Sequence, residues 1–195
     1  MQLKQFNFNK HKITFALLLM LPLLGEAAVP SWQILPKESQ ITFTATQNNS
    51  PVTGKFTSFN GDIVADPNQL DASHVRIVVD LASVSTSYSD VGDTLKTSDW
   101  FDVKMFPQAV FQASHFKKTG NNSYEADGTL TIRNKTLPVV LNFTQEEYSD
   151  QKAKIKGSTK LKRTGFGVGQ GDWAKTDTVG DDVQVNFEVT AVKVK

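Results

Sequence analysis

From Ile41 to Ala191 this 195-residue chain is written mostly in twos. Ile41, Phe43 and Ala45 alternate with Thr42 and Thr44. Phe59, Gly61, Ile63 and Ala65 share one parity, and so do Val75, Ile77, Val79 and Leu81. Ala109, Phe111 and Ala113 follow, then Tyr124, Ala126, Gly128, Leu130 and Ile132, then Leu137, Val139, Leu141 and Phe143. Ile155, Gly157 and Leu161 sit between lysines, and Val183, Val185, Phe187, Val189 and Ala191 close the pattern. A period of two marks strands with one buried and one wet face. Turn signals part the runs at "DPNQ" (66–69), "TGNN" (119–122), "RNK" (133–135) and "VGDD" (179–182). At least eight strands at hairpin spacing leave two solutions, a sandwich or a closed barrel. The barrel removes exposed strand edges and suits a chain without cysteine.

One segment departs from the alternation. In "SYSDVGDTLKTSDWF", Ser87 to Phe101, Val91 and Leu95 fall at helical spacing and Ser89 or Asp90 offers a cap. A short helix is expected near residues 88–98, followed by a turn through Trp100, Phe101, Phe106 and Pro107.

The first 27 residues have a different character. Lys4, Lys10 and Lys12 precede the apolar run "ITFALLLMLPLL", and "GEAA" supplies small residues after it. This is the pattern of a cleavable secretory signal. The run of 12 residues is short of the roughly 20 that a spanning helix needs. The expected organisation is a signal peptide over 1–27 and one domain over 28–195.

Composition then removes whole classes of function. Without residues 1–27, which hold three lysines and Glu26, 18 Lys and Arg face 19 Asp and Glu. Such a balance does not suit nucleic acid, which needs a basic surface. The absence of cysteine excludes disulfides, thiolate metal sites and a Cys nucleophile. His74 and His115 both read as surface residues, so neither a metal site nor a Ser–His pair is expected. Carboxylate pairs such as Asp181 with Asp182 lie in turns and read as solvated. The chain is therefore expected not to be an enzyme, with no catalytic residues, metal or cofactor.

The stretch "RTGFGVGQGDWA", Arg163 to Ala174, places glycine at 165, 167, 169 and 171. Neither GxGxxG nor a Walker sequence is present, and a strand follows rather than a helix. Alternate glycines strip one face of a strand, or they mark a bend that closes the barrel. Arg163 shares parity with Ile155 and Leu161, so it needs a partner such as Asp172, water, or the head of a ligand. The inward positions mix small residues with Phe, Ile and Leu. That mixture packs as an interdigitated core or leaves an apolar pocket.

Several of these stretches together resemble the YceI family: "WQILPKESQITFTA", "GKFTSFNGDI", "DTLKTSDWFDVKMFPQAVFQA", "GTLTIRNKTLPVVLNF" and "RTGFGVGQGDW". The resemblance runs in order along nearly the whole of residues 28–195. It implies an all-β, antiparallel, eight-stranded lipocalin-like barrel exported to the bacterial periplasm. It also implies binding of long amphiphiles: polyisoprenoids, isoprenoid quinone tails or fatty amides. An inner-membrane cytochrome b561-type protein and a second copy of the chain are candidate partners. Many relatives carry an acidic residue where this chain has Gly165, which puts any role of that carboxylate in doubt here.

On this reading the chain of a ligand lies against Phe43, Ile63, Ile77, Val79, Phe111, Leu130, Ile132, Leu141 and Leu161. Leu95, Phe101 and Phe106 are expected to border the entrance. Arg163, Phe166, Asp172 and Trp173 are expected near the head group.

Overall fold

A computed structural model describes residues 28–194. The signal peptide expected over 1–27 lies outside the described residues. Eleven strand segments form one sheet: β1 Ser31–Ile34, β2 Gln40–Gln47, β3 Ser50–Phe56, β4 Phe59–Val64, β5 His74–Asp80, β6 Val84–Thr86, β7 Gln108–Lys118, β8 Ser123–Ile132, β9 Lys135–Tyr148, β10 Lys152–Lys162 and β11 Asp182–Lys193. A single helix, α1 Ser89–Lys96, lies among the described residues where helical spacing placed it.

The segments combine into eight staves. On one side, β11 pairs with β2 through Gln184–Glu188 and with β1 through Ala191–Lys193. So β1 and β2 are halves of one kinked stave. The same holds for β3 with β4, and for β5 with β6, because β2–β3–β6 and β1–β4–β5 run as parallel tiers of pairing. On its other side β11 pairs with β10, and β7, β8, β9 and β10 complete the ring. Every pairing is antiparallel, so the sheet closes as an up-and-down barrel with no free long edge.

Each kink frees backbone groups from the ladder, and side chains take them up. At the first, the Ser39 hydroxyl donates to Leu35 O at 2.8 Å and accepts from Thr190 N at 3.0 Å, while Thr190 Oγ1 donates to Glu38 O at 3.1 Å. At the other two, Ser83 Oγ donates to Asp80 O at 2.6 Å and accepts from Ser58 N at 3.1 Å. Helix α1 packs against short β6, and its buried Gly92 brings the helix close to Thr86.

The two ends of the barrel differ. One end carries the two-residue hairpin turn at Asn48 and Asn49, the β8–β9 turn, residues 87–107 and residues 163–181. The left-handed φ of 49° and 62° at the two asparagines suits such a turn. The other end carries residues 65–73 and the turns at 119–122 and 149–151.

The first end is plugged. Trp100, Phe166, Val168 and Val179 are buried there with Leu81 and Ile132, and Leu95, Phe101, Val103 and Trp173 pack against them. Two arginines hold the plug. Arg133, at φ 55° in the β8–β9 turn, donates to Ser98 O at 2.7 Å and also to Trp100 O. Arg163 donates to the carbonyls of Gly180, Val168, Gly169, Lys175 and Val179 at 2.7–3.5 Å. Its guanidinium lies 5.5 Å from the Trp100 ring centroid.

The glycine run is neither a stripped strand nor barrel wall. Residues 163–173 form two 3-10 turns, and Gly167, Gly169 and Gly171 take left-handed φ of 71°, 82° and 59°. At Gly169 a Cβ would stand 2.1 Å from Arg163 Nη1. A bare backbone is therefore required where the segment wraps the guanidinium. Arg163 sits among backbone carbonyls and has left the face of Ile155 and Leu161.

Candidate ligand-binding site

The lumen is an apolar cavity of about 250 Å³. That is just below the roughly 300–1,000 Å³ of drug-sized ligand pockets, a space for one chain rather than a bulky ring system. Its wall comes from the inward parity of every stave. Ile77, Phe111 and Leu130 stand side by side on adjacent strands, and Ile41, Ile63, Leu141, Leu161, Val185 and Phe187 continue the wall. Two close approaches keep it open. Phe111 lies over Gly128 and Phe187 lies over Gly157, with ring carbons 2.7 Å and 2.4 Å from where a Cβ would be. These rings lie down against the wall because the glycines leave room.

Of the residues expected to touch a ligand, Ile63, Ile77, Val79, Phe111, Leu130, Leu141 and Leu161 line this cavity. The other nine do not. Ile132 keeps the inward parity of Leu130 but lies one step nearer the plug and is part of it. Phe43 is buried against Phe56, ring centroids 5.7 Å apart, and Phe56 in turn meets Phe101 at 5.9 Å. Leu95, Phe166 and Trp173 belong to the plug, where the Trp173 ring is 5.6 Å from Trp100. Phe106 lies under the Arg133 guanidinium at 5.4 Å. Arg163 is 4% exposed and bound to carbonyls, while Asp172 is exposed in a 3-10 turn. The expected entrance beside 95–106 is thus the barrel's closed end, since aromatic residues cluster in a plug as readily as at a rim.

The mouth is at the opposite end. Trp32, Ala65, Asp66, Pro67, Leu70, Ser73, Phe116, Tyr124, Gln145, Tyr148 and Ala153 bring the cavity to that end. Two β-bulges shape it. The β7–β8 register shifts between Ala113 and His115, and the β9–β10 register shifts opposite Lys154 and Ile155. Each extra residue reverses the alternation beyond it. Phe116 and Tyr148 therefore turn into the lumen, while His115 stays exposed on the outside. The parity of the sequence carries no sign of this. The "DPNQ" turn signal marked the loop but not that Asp66, Pro67 and Leu70 fold over the lumen.

Most polar groups in the lining gather at this mouth, Thr159 on β10 lying deeper. Asp66 Oδ1 accepts from Asn68 N at 2.8 Å, and Ser73 Oγ accepts from Asp66 N at 3.1 Å. Trp32 Nε1 donates to Ala65 O at 2.8 Å, and its ring lies 5.6 Å from that of Tyr148. Burial raises the Tyr148 pKa above 10.0, helped by the charges of Asp66 and Asp150 and by a hydrogen bond to Asp66. Its hydroxyl thus stays a donor throughout the neutral range.

At the plugged end, Asp181 accepts from Thr164 N at 3.0 Å and Thr164 Oγ1 at 2.8 Å. Burial pushes its pKa up, but the Thr164 bonds and the charges of Lys162 and Arg163 outweigh it, and the net shift is down from 3.8. A carboxylate with a lowered folded pKa stabilises the fold above its unfolded value, and that contribution disappears as pH falls through the folded value. Acid melts from pH 5 downward are expected to show a stability loss below pH 4 that shrinks in Asp181→Asn. An unchanged acid limb in that variant contradicts the assignment.

Among the described residues no three His, Cys, Asp or Glu side chains come together as a metal site. None of the described helices is long and apolar enough to cross a membrane.

An eight-staved antiparallel barrel with an apolar lumen plugged at one end is a lipocalin-like architecture. The chain belongs to the YceI-like domain family, which matches residues 32–191. It is similar to a UPF0312 protein of Vibrio cholerae, 28% identical over 124 residues, which are 61% of this chain and 66% of that relative. The crystal structure of Burkholderia cenocepacia BcnA superposes with a TM-score of 0.76 at 30% identity, covering 80% of this chain and 98% of that one. A polyisoprenoid binding domain from Saccharophagus degradans, implicated in plant cell wall breakdown, superposes with a TM-score of 0.66. At 11% identity, over 85% of this chain and 99% of that domain, it is a likeness of fold.

Proposed function

We propose that this protein binds a long-chain amphiphile with the chain inside the barrel, as an exported, periplasmic carrier or store. A polyisoprenoid, an isoprenoid quinone or a fatty amide fits the reading. The observation that carries it is the lumen: an apolar tube walled by all eight staves, with its one charged lining residue among the described residues, Asp66, at one end. Membership of the YceI-like family supports it, as does the name of the Saccharophagus neighbour. Each methylene moved from water into such a wall contributes about 0.8 kcal/mol, so a long chain binds tightly with few polar contacts.

Native mass spectrometry of the protein purified from the periplasm tests the reading. An added mass that organic extraction removes, and that fragments as an amphiphile, is the expected result. A protein that carries no such mass and takes up none from lipid vesicles refutes it. Delivery of a quinone to a cytochrome b561-type partner is a further step of the same reading. It calls for faster oxidation of that partner's pre-reduced haem when the quinone-loaded protein is added to its membranes, the quinone leaving as quinol.

A further inference from the structure

Among the described residues the lumen lining holds one charged side chain, and it stands at the mouth. Asp66 reaches in from the loop after β4, with Gln145 and Tyr148 at the end of β9. The bulge in β9 is what turns Tyr148 inward. One oxygen of Asp66 is engaged by Asn68. The Tyr148 hydroxyl also donates to Asp66, yet a carboxylate has further lone pairs to offer, the Tyr148 oxygen can still accept, and Gln145 has both a donor and an acceptor. The surrounding lysines are not in the lining. Lys152 and Lys154 pair with Glu38 at 3.0 Å and Glu146 at 2.8 Å. Lys118 lies at the rim, 5.9 Å from the Tyr124 ring centroid.

We propose that the mouth is a head-group subsite, formed by Asp66, Gln145 and Tyr148, that selects uncharged heads able to donate a hydrogen bond, such as alcohols, primary amides and quinols. The inference rests on the chain-binding reading above and adds the chemistry of the head. A phosphate or carboxylate head placed there meets Asp66 at close range, and like charges brought together lose affinity. A head that only accepts makes no bond to the lone pairs that Asn68 and Tyr148 leave open on the carboxylate.

The test is a competition by native mass spectrometry among four ligands with one common chain: oleyl alcohol, oleamide, oleate and oleyl phosphate. The protein is first freed of lipid. The alcohol and amide are expected to be bound at least about tenfold over the two anions. In Asp66→Asn, which keeps an acceptor for the Asn68 turn, the preference is expected to fall below about threefold as the anions gain. Tyr148→Phe is expected to weaken the amide more than the alcohol while leaving the anions disfavoured. Equal binding of all four by the wild type, or a preference unchanged in Asp66→Asn, overturns the subsite but leaves the chain-binding reading standing. Tight binding of oleyl phosphate that is lost in Lys118→Gln places an anion site at the rim and overturns it equally. If none of the four binds, both readings fail.

Discussion

Arg163→Met is expected to destabilise the protein by about 4 kcal/mol or more, among the largest effects available to a single side chain. The guanidinium is buried and its donors satisfy five carbonyl oxygens of the segment that wraps it. Burial pulls its pKa below the ordinary arginine value and the Asp181 charge pushes it back up, yet an arginine keeps its proton under these conditions. Methionine fills much of the volume but leaves the carbonyls without partners, and each such buried acceptor costs about 1–3 kcal/mol. For a chain of this size the melting temperature should drop by roughly 8–16 °C. Arg163→Lys should recover part of the loss, because an ammonium has three donors to offer. A Met variant that melts within about 2 °C of the wild type would sink the account. Chain binding is expected to persist in Arg163→Met below its melting point, since the residue does not line the lumen.

The second large effect is on binding. Ala153→Trp puts an indole into the lumen beside Tyr148, its cross-strand neighbour. Displacing about four methylenes of a bound chain costs about 3 kcal/mol at 0.8 kcal/mol each, a loss of more than a hundredfold in affinity. Leu161→Trp, at the deeper end of the wall, should instead shorten the longest chain accepted while sparing short ones. Titration with saturated alcohols of graded length reads both outcomes. Equal affinity of Ala153→Trp and wild type for the long alcohols would mean that the chain does not lie in the barrel.

The staves were legible in the sequence because burial on one face repeats at the strand period. That parity was enough to place Ile63, Ile77, Val79, Phe111, Leu130, Leu141 and Leu161 on the inner wall. It says which face a residue takes but not how far along the barrel it sits, and Ile132 passed from lumen to plug on that account. Outside the strands even the face is lost. Leu95, Phe101, Phe166 and Trp173 are apolar and therefore withdrawn from water wholly or in part, but only the tertiary path of 87–107 and 163–181 decides that they close an end. The mouth was hidden for a further reason: a bulge is a shift of one residue, and it leaves no compositional mark at Phe116 or Tyr148. Of the two uses that alternate glycines suggested at 163–171, a stripped strand and a bend that closes the barrel, only the bend is found, as left-handed turns around an arginine.

The plug also bears on the kinetics of exchange. A sleeve sealed at its base admits a chain by one route only, tail first, and the chain must leave by sliding back along its whole length. Capture then needs only the first few carbons to find the opening, so its rate should vary little with length. Release must undo every wall contact in turn and should slow steeply with each added isoprene unit. Throughout its stay such a cargo presents nothing but its head to the outside.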